Sequence, residues 1–149
     1  MQHPSPRLAV RALIVKDSRL LLVNAYRDPR ADLWCAPGGG VARGSSLHAN
    51  LIREVHEETG LTISVGALAL VNEFHDPAGS FHQVELFFHA TITNGTLTDT
   101  WRDPEGVVTH RRFVTREDAA QLRIKPDGLI SAAFEPRPAI YDPLEAILR

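Results

Sequence analysis

The segment Gly39 to Leu61, reading GGVARGSSLHANLIREVHEETGL, constrains this chain more than any other part of it. Glu54, Glu57 and Glu58 stand three and four residues apart around a helix. They therefore project from one arc of its surface, within reach of a common ion. Clustered carboxylates repel one another unless a positive charge sits among them. A hard divalent cation that prefers oxygen, Mg²⁺ or Mn²⁺, meets that need, and such ions commonly bridge carboxylates to substrate phosphates.

The helix follows from its residues. Ser45 or Ser46 caps its start, Leu47, Leu51, Ile52 and Val55 form an apolar stripe, and Gly60 supplies a left-handed stop after Thr59. The acidic arc lies beside that stripe, so one face is buried and the other is offered to a cleft. Arg53, four residues before Glu57, pairs with it and fixes its rotamer. Upstream, Ala36-Pro37-Gly38-Gly39-Gly40 reads as a loop whose missing side chains let backbone approach a ligand, forming a phosphate and metal cradle. In isolation a Glu-x-x-Glu-Glu run is an ordinary solvated helix face, and three glycines are an ordinary turn. The glycines at this offset from the acids favour a site.

The pattern of a Gly, five residues, a Glu, seven residues, then Arg-Glu-aliphatic-any-Glu-Glu-any-Gly-aliphatic runs here from Gly39 through Arg53, Glu54, Val55, Glu57, Glu58 and Gly60 to Leu61. It resembles the Nudix hydrolase signature at every defined position except Ser45, where the family has Glu. In the family that Glu mostly supports the loop and helix start, so the resemblance implies retuned activity. Ala42 stands where many members carry an acid, which implies a less negative loop holding fewer metal ions.

The resemblance implies an α/β chain with the Nudix-type α/β/α sandwich and a mixed central sheet. It also implies hydrolysis of a pyrophosphate linkage in a nucleoside diphosphate joined to another group. Glu54, Glu57 and Glu58 are the expected ligands of Mg²⁺, or alternatively Mn²⁺, with the Gly38 carbonyl added by resemblance. Arg53 supports these acids as part of the catalytic set. The general base is one of them or a carboxylate of a later loop, for which Glu105 in Trp101-Arg102-Asp103-Pro104-Glu105-Gly106 is the candidate, although a solvated turn acid reads equally well. Arg27, in the polar loop Tyr26 to Asp32, is a candidate phosphate clamp; a solvated arginine is the commoner case.

The ADP-ribose-hydrolysing branch often carries a proline some way past the signature, and Pro77 occupies that place. ADP-ribose or another nucleotide sugar therefore leads as substrate, ahead of nucleoside triphosphates, dinucleoside polyphosphates and capped RNA ends. Two alternatives compete: a non-catalytic sensor of a nucleotide conjugate, and a protein-interaction module using the apolar tail. The seven histidines lack ligand spacing. His82 alone, opening a strand after a turn-rich loop, is placed to approach a base or sugar.

A chain of 149 residues, 44% hydrophobic and 23% charged, fits one domain with a single core. Segment 1–7 is expected to be disordered, 8–134 to form the domain, and 135–149 a proline-interrupted tail that packs on the body or on the second subunit of a homodimer. A net charge of −2 gives no footprint for nucleic acid. The expected partner is a small nucleotide conjugate. Cys35, the lone cysteine, reads as a small hydrophobe rather than a nucleophile. There is no long apolar run and no signal-like start, so no membrane partner is expected and a cytoplasmic location is the default.

Strands are expected over Leu8 to Val15, Leu20 to Asn24, Leu61 to Phe74, Val84 to Ile92 and Val107 to Val114. Asn94-Gly95 marks a hairpin, and short helices are expected near Glu117 to Leu122 and Asp127 to Phe134.

Overall fold

Alternating apolar residues open the chain as a hairpin. In the computed structural model, which describes residues 5–148, strand β1 (Arg7–Lys16) returns as β2 (Arg19–Asn24). The turn is tight because Asp17 and Ser18 both take positive φ, 52° and 63°, as a two-residue hairpin loop requires. Residues 1–4 of the expected disordered segment lie outside the described residues. Arg7 already pairs with Gln83 in the sheet.

Next come β3 (Leu33–Cys35), β4 (Gly38–Gly40), helix α1 (Leu47–Thr59), β5 (Thr62–His75) and β6 (His82–Asn94). The chain then forms β7 (Arg111–Thr115), α2 (Arg116–Ala119), β8 (Arg123–Ile124), α3 (Leu129–Phe134) and β9 (Ile140–Ala146). β1 is the hub of the sheet. It runs parallel to β6 and antiparallel to both β2 and β4, while β5 joins β6 antiparallel and β9 parallel. On the other side of the hairpin, β2 pairs with β3 and β7, and β3 with β8.

The period of two along β1 divides the core. Val10, Ala12 and Ile14 face α1 and meet Leu51, Val55, Phe88 and Ala90. Leu13 faces the other way, with Leu22, Leu70 and Phe87, against Leu129 and Ala132 of α3. Helices thus cover both faces of a mixed sheet, the α/β/α sandwich. Each of the fully buried leucines contributes about 1.5–3 kcal/mol relative to exposure.

Helix α1 begins at Ser46, whose hydroxyl accepts the Ala49 amide at 3.0 Å, and ends at Gly60 with φ 78°. Between the two cap candidates the geometry selects Ser46. Ser46→Ala is therefore expected to lower stability by about 1 kcal/mol, measured by urea denaturation, with Ser45→Ala near neutral. The expected apolar stripe is narrower than read: Leu51 and Val55 are buried, whereas Ile52 is 38% exposed.

Four local expectations change. Gly38 to Gly40 is a strand rather than a loop, because bare backbone can hydrogen-bond along β1 at Ala9 to Arg11. Asn94-Gly95 does not make a hairpin. At Gly95, φ 92°, the chain leaves the sheet toward the end of α1; Leu97 packs into the core there, and the Trp101 indole N–H donates to the Glu57 carbonyl at 2.8 Å. Strand structure resumes only at Arg111, since the amides of Val107 to His110 are taken by Asp103 and Asn24 side chains. Finally, residues 140–146 of the tail form β9 on the edge of the sheet, beside β5.

Candidate active site

Glu54 and Glu58 of α1 project toward β4 across a cleft of about 540 Å³, lined also by Arg7, Arg11, Asp103 and Glu105. Glu54 and Glu58 are only 9% and 8% exposed, so they form the wall of a site rather than a solvated face. Gly39 explains how the two elements come so close. A Cβ there would lie 2.6 Å from the Glu54 carboxylate, so only glycine leaves that side chain in place.

Each acid is held differently. Glu58 accepts the Gly38 amide at 3.4 Å. Arg53 reaches Glu57 at 3.1 Å and Glu54 at 3.3 Å, so the expected arginine pair exists and extends to a second acid. Glu57 is half-buried at the rim and does not line the cleft wall. Burial pushes the Glu58 carboxyl up to about 8 against the pull of Arg11 and the Gly38 amide, with Glu54 and Asp103 adding repulsion. Burial raises Glu54 too, opposed by Arg53 and reinforced by Glu57 and Glu105.

These shifts have a measurable sign. An unfolded Glu58 releases its proton near its ordinary value of 4.5, whereas the folded chain keeps it to about 8. Between those values the native state binds more protons, so stability falls as pH rises. In EDTA the wild-type Tm is expected to drop more steeply from pH 5 to 8.5 than that of Glu58→Gln. Parallel curves would contradict this.

The end of α1 is secured by residues that the sequence pattern did not single out. Arg111 donates to the Glu58 carbonyl and, at 3.0 Å, to that of Val108. With the Trp101 bond, this satisfies carbonyls a helix end leaves open. Gly60 makes room for Trp101, whose ring would be 2.8 Å from a Cβ. Asp103 folds the Glu105 loop by accepting the amides of Glu105, Val107 and Val108 at 3.0, 3.2 and 2.9 Å. Glu105 thus stands exposed at the lip of the cleft. Arg27 donates to the Glu105 carbonyl at 3.3 Å and lies outside the cleft lining.

Arg11 was also invisible as a site residue, appearing as one polar position in an apolar strand. It is largely buried, ion-paired to Glu85 at 3.3 Å and bonded to the Ala36 carbonyl at 3.1 Å. Burial works against its charge, but Glu85, Cys35 and Glu58 together hold it above the ordinary arginine value. Cys35, beside it at the cleft floor, has its thiol pushed up to about 12 by burial, which suits a packing role. His82 points to Glu73 at 3.4 Å, and Pro77 sits in an exposed turn; neither lines the cleft.

A family model for the NUDIX domain matches residues 5–133. The chain belongs to the Nudix family. Among similar curated proteins, an ADP-ribose pyrophosphatase of Methanocaldococcus jannaschii is 32% identical over 92 residues, covering 62% of this chain and 54% of that protein. Diphosphoinositol polyphosphate phosphohydrolase 3-alpha of Homo sapiens is 30% identical over 108 residues, covering 72% and 61%. This Nudix chain spans about half the length of the first curated relatives it matches. A NUDIX hydrolase of Nitrosomonas europaea shares the fold, with a TM-score of 0.72 at 18% identity over 86% of each chain.

Among the described residues, no three acidic, histidine or cysteine side chains already stand together as a finished ligand set. The donor chemistry nevertheless fits a hard cation. Glu54 and Glu58 present carboxylate oxygens to one cleft, the Glu54 charge adds to the proton affinity of Glu58, and a glycine backbone lies against Glu54 where a side chain would fill the space. Among the described residues, no helix is long and apolar enough to cross a membrane.

Proposed function

We propose that this Nudix chain is a divalent-cation-dependent hydrolase that cleaves a pyrophosphate linkage in a nucleoside diphosphate joined to another group, with ADP-ribose or another nucleotide sugar as substrate. The observation that carries this reading is the convergence of Glu54, Glu58 and Glu105 on a cleft that also presents Arg7 and Arg11. Acids alone would repel a phosphate and arginines alone would only bind it. The combination suits a diphosphate that arrives with a cation.

Glu54, Glu57 and Glu58, with the Gly38 carbonyl, are the residues to hold Mg²⁺ or Mn²⁺. When bound, that ion neutralises phosphate charge and makes a water more acidic. Arg11, anchored by Glu85, orients phosphate oxygens at the floor of the cleft. Arg53 offsets the repulsion between Glu54 and Glu57 by bridging their carboxylates. Glu105 takes the proton from the attacking water, its backbone fixed by Asp103 and Arg27. Arg27 steadies that loop and can turn its guanidinium to a substrate phosphate from the rim.

ADP-ribose leads among substrates because the name of the M. jannaschii relative carries that activity and Pro77 agrees with it. The test is a panel of ADP-ribose, other nucleotide sugars, dinucleoside polyphosphates and nucleoside triphosphates, each with Mg²⁺ and with Mn²⁺. The expected result is highest kcat/KM for ADP-ribose or a nucleotide sugar. A preference for triphosphates overturns the substrate; no turnover of any compound overturns the hydrolase and favours a sensor.

A further inference from the structure

A turn that carries a reacting group is only as well placed as the ties that hold it to the rest of the site. Between β6 and β7, residues 95–110 form neither helix nor strand, so no sheet ladder fixes Glu105 against the acids of α1. Asp103 closes the turn on itself by accepting the amides of Glu105, Val107 and Val108. That makes the turn stiff without setting where it stands.

The trailing side of the turn is anchored several times. Asn24 of β2 donates to the Val107 carbonyl and accepts the amides of Thr109 and His110, and Arg111 of β7 donates to the carbonyls of Glu58 and Val108. The leading side is different. Among the described residues, the Trp101 indole N–H, donating to the Glu57 carbonyl at 2.8 Å, is the only hydrogen bond that joins residues 98–102 to another element. The indole is seated as well as bonded. It meets the His56 ring edge to face at 5.3 Å between centroids and fills the space that a Cβ on Gly60 would need. The loop is thereby clipped, through Trp101 and Arg111, to the backbone of two consecutive acids of the site.

We propose that Trp101 is a positioning residue for the hydrolysis, holding the leading side of the turn on the end of α1 so that the Glu105 carboxylate stays in the cleft with Glu54 and Glu58. This rests on Glu105 as the group that takes the proton from water. A bond that served the helix alone would steady the end of α1 and leave catalysis untouched in the folded chain. A bond that places a general base has another signature, because a base displaced by about 1 Å loses rate while substrate binding survives.

Trp101→Phe tests this, since it keeps a ring against Gly60 and His56 and deletes the N–H. Amide hydrogen exchange of the full chain in EDTA should show the Glu105, Val107 and Val108 amides exchanging about fivefold faster, the scale of one neutral hydrogen bond, with β1 and β6 unchanged. With Mg²⁺ and ADP-ribose, or whichever compound of the panel turns over fastest, kcat should fall about tenfold or more at unchanged KM. In a Glu105→Gln background the same substitution should add little. Unchanged exchange in the turn overturns the proposal, as does an equal kcat loss in both backgrounds or a loss of protection spread through β1 and β6. Full activity of Glu105→Gln overturns the choice of base and the positioning with it, whereas a slow Glu105→Gln beside an unaffected Trp101→Phe overturns the positioning alone. If no compound is cleaved the hydrolase reading fails, and exchange by itself decides whether the indole holds the turn.

Discussion

Glu58→Gln is expected to lower kcat for pyrophosphate cleavage at least about a hundredfold, the scale seen when a charge-stabilising or acid-base group is removed from a preorganised site. Glutamine keeps the shape and retains an oxygen to accept the Gly38 amide, so what is lost is the charge. The fold should survive the change. Because burial pushes the Glu58 carboxyl up to about 8, ionising it opposes folding in the absence of a cation, and the variant's Tm in EDTA should equal or exceed that of wild type at pH 8.5. Loss of activity together with a collapse in Tm would make Glu58 structural. An unchanged kcat would move the chemistry elsewhere.

The largest stability effect is expected at Arg11. Arg11→Leu leaves Glu85, 4% exposed, without its cation and the Ala36 carbonyl without that donor. Breaking one side of a buried pair costs about 3–5 kcal/mol, whereas replacing both partners by apolar residues is often near neutral. Urea denaturation should therefore show a large loss for Arg11→Leu and substantial recovery in Arg11→Leu/Glu85→Leu. Additive losses would mean that the two residues act independently. Neither variant is expected to hydrolyse well, since Arg11 also lines the cleft.

The helix and its acids were legible because they are local. Periodicity placed Leu51 and Val55 inward, the Arg53–Glu57 spacing gave their ion pair, and Gly60 marked the stop. The sandwich was legible through resemblance and through the order of strands and helices. Elements governed by distant partners were not. Gly38 to Gly40 carries no strand propensity and pairs only because β1 lies alongside, while Asn94-Gly95 has the sequence of a hairpin but is drawn toward the end of α1. Burial of Glu54 and Glu58 comes from β4 crossing above them, a contact made across the fold. Arg11 and Arg111 are illegible for the same reason, since each has its meaning in a partner remote in sequence, Glu85 and the Glu58 carbonyl, whereas Asp103 bonds amides of its own loop and only the fold brings that loop to the cleft.

Hydrolysis of ADP-ribose in H₂¹⁸O, with Mg²⁺ and in parallel with EDTA, probes the site most directly. The cleft of acids and arginines should yield AMP and ribose 5-phosphate, with ¹⁸O in one of the two phosphates and no covalent enzyme intermediate, and EDTA should abolish the reaction. Undiminished turnover in EDTA, or ¹⁸O on a sugar carbon with release of free base, would contradict it.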